Sequence, residues 1–116
     1  MSLKITNREI HEKAIAKYGQ RIQREIAIEE MSELTQILCK IERITHLDTS
    51  IPTNQLHYFA VMKELKPKLI SEIVDVSLMM ESLRVIYDSD GKLYKEQKDK
   101  KLLRLCKRID NSKEFN

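Results

Sequence analysis

Two stretches of this chain read as amphipathic helices, and both carry carboxylates on the side that a helix normally reserves for its core. The first is Ile28-Glu29-Glu30-Met31-Ser32-Glu33-Leu34 and the second is Ser71-Glu72-Ile73-Val74-Asp75-Val76. Advancing about 100° per residue from Glu30 brings Ile22, Ile26, Leu34, Ile37, Ile41 and Ile44 within roughly 80° of it, with Glu33 inside the same arc. On the second stretch Asp75 lies about 60° from Glu72, among Val76, Met79, Leu83 and Ile86. Carboxylates belong on the solvated side of such helices. Two like charges about 6 Å apart repel by roughly 3 kcal/mol at an effective dielectric of about 20. Several such pairs together approach the ~5–15 kcal/mol that stabilises an ordinary domain, and desolvation adds to the cost. Either some acids are protonated, or the helices splay to admit water, or a cation sits among them. A hard divalent cation bound by oxygen is the most economical answer, and an all-carboxylate set suits magnesium or manganese. The plainer alternative is that one or two acids escape to the rim of the bundle.

At 116 residues the chain is one domain, spanning 1–116, long enough to bury about two-thirds of its unfolded surface. Two glycines, two prolines and no tryptophan leave little punctuation for a sheet protein, and Leu, Ile, Lys and Glu recur at helical spacing. The expected class is all-α: a bundle of four to five helices around an antiparallel central pair that bears Glu30 and Glu72. A net charge of +3 does not by itself call for nucleic acid. Cys39 and Cys106 form no CxxC motif and read as reduced thiols. No apolar run approaches the ~20 residues of a membrane span, and the N-terminus lacks the apolar region of a signal peptide. A cytoplasmic protein with no membrane partner is expected.

In chain order, Thr6-Asn7-Arg8-Glu9 is a capping box that opens a short helix, which Gly19 can close. A long helix follows over residues 20–45. Residues 48–54 are a loop, and a short helix is expected over 55–65, broken at Lys66-Pro67 because the residue before proline avoids the α region. The next helix, 68–87, is apolar on nearly every side, which places it among others. Residues 88–91 form a turn, and a final helix over 93–109 carries a basic face. His11 and His46 have no partners at metal-ligand spacing and read as surface residues.

Glu29-Glu30-x-x-Glu33 followed by Glu72-x-x-Asp75 resembles the EExxE…ExxD signature of the MazG-like, all-α nucleoside triphosphate pyrophosphohydrolases. The likeness runs from about Tyr18 to Arg108, with a longer gap between the two motifs than is usual, through an insertion over residues 45–69. The resemblance implies a MazG-like bundle whose acids hold Mg2+, with Mn2+ as a substitute. The metal ligands fall on Glu30, Glu33, Glu72 and Asp75. Glu29, the first acid of the motif, would assist the metal or the attacking water. The implied reaction cuts a nucleoside triphosphate, possibly a deoxy or non-standard one, to the monophosphate and pyrophosphate. The implied assembly is a homodimer or homotetramer.

A triphosphate also needs cations beyond the metal, and the family places a basic motif on its last helix. Lys101-x-x-Arg104-x-x-x-Arg108 has similar spacing and is the candidate phosphate-binding set, with Leu105 where an asparagine often stands. For the base, Gln23 lies on the Glu30 face one and a half to two turns upstream, where an ordinary solvated glutamine is the plainer reading. His57 and Tyr58, beside Phe59, offer an aromatic wall on which a base could stack, core packing being the alternative. A di-iron carboxylate bundle is disfavoured because no Glu-x-x-His pair exists in the chain. The rival function is a non-catalytic helical adaptor, or a degenerate relative that binds nucleotide or nucleic acid through its basic last helix.

Overall fold

The computed structural model describes residues 4–111. Thr6 opens the first helix as expected: its hydroxyl accepts the Glu9 backbone N–H at 3.1 Å. The described residues form three helices and no strand: α1 (Asn7–Thr45), α2 (Pro52–Tyr87) and α3 (Lys92–Asn111). α1 and α2 pack as an antiparallel pair, joined by a short turn in which Asp48 accepts bonds from the Ser50 backbone and hydroxyl.

The pairing follows a 3–4 alternation. On α1 the positions 23, 27, 30, 34, 37, 41 and 44 are all buried or partly buried, and on α2 so are 58, 62, 65, 69, 72, 76, 79, 83 and 86. These are the a and d positions of two heptad seams. Ala27, Ile44 and Leu65 are the buried apolar side chains among the described residues, so the core is one helix layer against another.

The count of three against the expected four to five arises because Pro67 does not divide α2 and because α1 runs on across its kink at Gly19 as one element. Numbered from its seam, Pro67 occupies the f position, on the outer face of the pair, and it is exposed. A proline removes one N–H and crowds one carbonyl. On the outer face that carbonyl can turn to water, while the seam from Met62 through Leu65 to Leu69 continues beneath it. Gly19 does interrupt α1, with φ 84 and ψ 161, and the chain changes direction there without an intervening loop.

The segment before Gly19 is tied across α2 by polar groups, among them His11, which was expected on the surface. His11 is 5% exposed, and its Nδ1 lies 2.7 Å from the hydroxyl of buried Ser82. Its Nε2 lies 3.2 Å from Glu81 Oε2, an ion-pair distance without hydrogen-bond alignment. Asn7 Nδ2 donates to the other Glu81 oxygen at 2.7 Å. Placing His11 on the surface was therefore wrong, because helical periodicity cannot show that a residue on α1 meets one 71 positions away. Nor does serine beside histidine beside glutamate make a nucleophile here: Ser82 is only 2% exposed and no substrate carbonyl can reach it.

α3 begins at a fixed joint. Asp88 accepts the backbone N–H groups of Leu93 and Tyr94 at 3.3 and 2.7 Å, and the Arg84 guanidinium lies 3.5 Å from the centre of the Tyr94 ring. Beyond that joint none of its residues is buried. The Cα radius of gyration, 19.2 Å, is far above the ~13 Å of a compact chain of about 100 residues.

The dihedrals at Gly19 belong to a region that only glycine occupies without strain, although nothing lies within 4 Å of a Cβ built there. Gly19→Ala is therefore expected to lower the unfolding free energy by about 1–3 kcal/mol through strain alone, read from urea titration. An alanine variant as stable as the parent would show that Gly19 does not set the direction of the first segment.

Candidate metal centre

Glu30 and Glu72 are both d positions of their seams, and Glu33 and Asp75, three residues further on, are both g positions. Each helix thus contributes one carboxylate to the middle of the interface and one to its flank. Ala27 precedes Glu30 on the seam and is 1% exposed, so the backbones come close where the acids meet.

Carboxylate oxygens of Glu30, Glu72 and Asp75 lie within 4.8 Å of one another. Glu30 Oε2 and Glu72 Oε2 are buried and have no hydrogen-bond partner among the described residues. Among the described residues none of the ion pairs reaches these acids; Arg8–Glu12, Arg21–Glu25 and Lys68–Glu64 all lie elsewhere. Burial pushes the Glu30 carboxyl above its ordinary 4.5, and the charges of Glu33, Asp75, Glu72 and Glu29 push it further. Glu72 is raised in the same way, by burial first and then by Glu33 and Asp75. Two orphaned buried carboxylate oxygens, with no cation beside them, fit a hard divalent ion: its charge cancels the repulsion and its coordination satisfies the oxygens.

The predicted site residues divide between those the fold gathers and those it does not. Glu30, Glu72 and Asp75 form the tight group. Glu33 stands on its edge, outside the three whose oxygens converge, yet near enough for its charge to act on both Glu30 and Glu72. Glu29 is exposed beside the cluster. Gln23 is not the solvated residue of the plainer reading: it occupies a seam position and is 4% exposed, because the 3–4 alternation carries it into the interface. His57 and Tyr58 lie near the far end of the pair, where Tyr58 and Phe59 meet edge to face. Tyr58 is fourteen residues from Glu72, roughly 21 Å along the helix, and does not line the cluster of its own chain. Lys101, Arg104 and Arg108 are exposed on α3 and are not gathered with the acids. Set against known proteins, the chain matches no family model, no curated protein and no solved structure. The likeness to the MazG-like enzymes rests on the two acidic motifs.

The raised carboxyls give stability a definite pH dependence. A group whose folded pKa exceeds its unfolded value stabilises the fold when protonated; that contribution is complete below 4.5 and is lost as pH rises through the raised value. The melting temperature of the metal-free protein should therefore rise as pH is lowered from neutral toward 4.5. The range stops above 3.8, where Asp48, held low by its bonds from Ser50, begins to lose its turn. Saturating magnesium should abolish the rise, since metal and protons compete for the same oxygens. A metal-free melting temperature that falls over this range would contradict the upward push that burial and the neighbouring acids give Glu30 and Glu72.

Proposed function

We propose that the protein is a magnesium-dependent nucleoside triphosphate pyrophosphohydrolase that works as a homodimer. One observation carries the reading. Two acid-x-x-acid pairs occupy equivalent seam and flank positions on antiparallel helices, and buried oxygens of Glu30 and Glu72 have no hydrogen-bond partner among the described residues. Glu30, Glu72 and Asp75 would hold the ion, with Glu33 completing the set from the edge. Bound there, magnesium supplies charge neutralisation for the phosphates and a more acidic water.

The chain's own groups account for the remaining needs of the reaction. Water attacks the α-phosphorus, the bond from that phosphorus to the bridging oxygen breaks, and pyrophosphate leaves with the bond electrons. Glu29, exposed and adjacent to the cluster, takes the proton of the water and returns it to solvent. Lys101, Arg104 and Arg108 bind the phosphates. The surface left bare supports the homodimer: α2 is apolar nearly all round, and α1 covers only one side of it.

Mass spectrometry of products from a mixed nucleotide panel with magnesium tests the activity, and monophosphate with pyrophosphate is the expected pair. Glu72→Gln should cut turnover by at least about 100-fold, the upper end of what even outer-shell ligand partners cost. No turnover by the parent, together with tight nucleic-acid binding by α3, would instead favour the adaptor. Light scattering at micromolar concentration should return twice the 13.7 kDa chain mass; a monomer would remove the homodimer.

A further inference from the structure

The cations and the acids of one chain face apart. The groove between α2 and α3, about 800 Å³, is lined on the α2 side by Val76, Met80, Arg84 and Tyr87 among others. At about 100° per residue, Asp75 points roughly 135° away from the middle of those four. On the other side of Asp75, roughly 100° from it, runs a bare stripe of Ile70, Val74 and Leu78, which are 52%, 50% and 45% exposed.

α3 carries the counterpart of that surface. Leu102, Leu105 and Ile109 form an exposed apolar stripe. Lys101, Arg104 and Arg108 edge it roughly 100° to one side, while Glu96, Asp99 and Asp110 lie roughly 115° to the other. The charge is divided in the same way. Residues 92–111 hold eight Lys or Arg against three Asp or Glu, a net +5, whereas residues 1–91 hold twelve against fourteen, a net −2.

The geometry points to a second copy of this chain as the occupant of the α2 stripe: its α3 lies across Ile70, Val74 and Leu78 and brings Lys101, Arg104 and Arg108 over the carboxylates. The catalytic site is then composite, with acids from one protomer and phosphate-binding cations from its partner. The handedness of the helices sets the direction. Only with α3 parallel to the other copy's α2 does the cationic edge fall on the Asp75 side; reversed, the acidic edge would meet the acids. The Asp88 joint holds α3 away from its own hairpin, so the arrangement is open within a chain and closes when two chains exchange it. The inference rests on the proposed nucleotide site for the purpose of the cations, though not for the docking itself.

Two experiments test it. Glu72→Gln protein and protein carrying Lys101→Ala, Arg104→Ala and Arg108→Ala are unfolded together in equal amounts and refolded. Half of the resulting dimers are mixed, and each mixed dimer has one intact composite site. The mixture should therefore recover about one quarter of parent activity, while each variant alone stays inactive. A mixture no better than its components, with an active parent, overturns the exchange. The second experiment needs no activity. With Cys39→Ser and Cys106→Ser as background, Val74→Cys and Leu105→Cys in one chain should give a covalent dimer on mild oxidation. A disulfide confined to monomer, or no disulfide, overturns the docking. An inactive parent that still forms the covalent dimer refutes the proposed reaction and leaves the interface standing.

Discussion

The crowding of Glu30, Glu33, Glu72 and Asp75 at one level of the helix pair is the interaction to which the rest of the structure answers. A heptad seam gains its stability from apolar side chains at a and d, and here the central d position of each helix is a carboxylate. Burial and the neighbouring acids push both carboxyls toward the protonated form, and each leaves one buried oxygen with no hydrogen bond. A protein with nothing to gain from such a pair would carry leucine there, because a buried polar atom without a partner destabilises the fold. The hairpin keeps the strain in one place. Its apolar seam runs on both sides, through Leu34, Ile37 and Ile41 on α1 and Val76, Met79 and Leu83 on α2.

The fold is thin around this centre, and its remaining contacts are polar and local. The first segment is turned by Gly19 and held by the Asn7–Glu81 and His11–Ser82 bonds; α3 is held by Asp88 and by the Arg84–Tyr94 stack. Such contacts fix direction rather than bury area. The large apolar residues left exposed along α2 and α3 are where hydrophobic stabilisation is still to be gained. Catalysis and assembly thus draw on neighbouring faces of the same helix: α2 turns Glu72 and Asp75 toward α1, and Ile70, Val74 and Leu78 away from it.

Much of this was legible in the sequence because it depends on spacing along one helix. Helical class, the Thr6 cap, the turn at Gly19 and the inward direction of Glu30 and Glu72 all follow from a 3.6-residue period and the preferences of single residues. Pro67 does not show its effect in the sequence because a proline's local cost depends on which face of the helix it occupies. The outer face of a long paired helix tolerates what a buried face would not. His11 is the opposite case: nothing near it in sequence supplies its partners, which lie on another helix.

The sequence by itself determined that carboxylates would stand where apolar side chains belong, since the helical period admits no other placement for them. Only the tertiary structure decided which acids converge. Antiparallel pairing brings oxygens of Glu30, Glu72 and Asp75 within 4.8 Å of one another and leaves Glu33 at the edge, because the register between the helices is set by packing along the whole seam. The tertiary structure also decided that Lys101, Arg104 and Arg108 stand apart from the acids of their own chain. A period gives each residue its angle about its own axis; the angle between two axes comes from the joint between them, here Asp88 and Gly91.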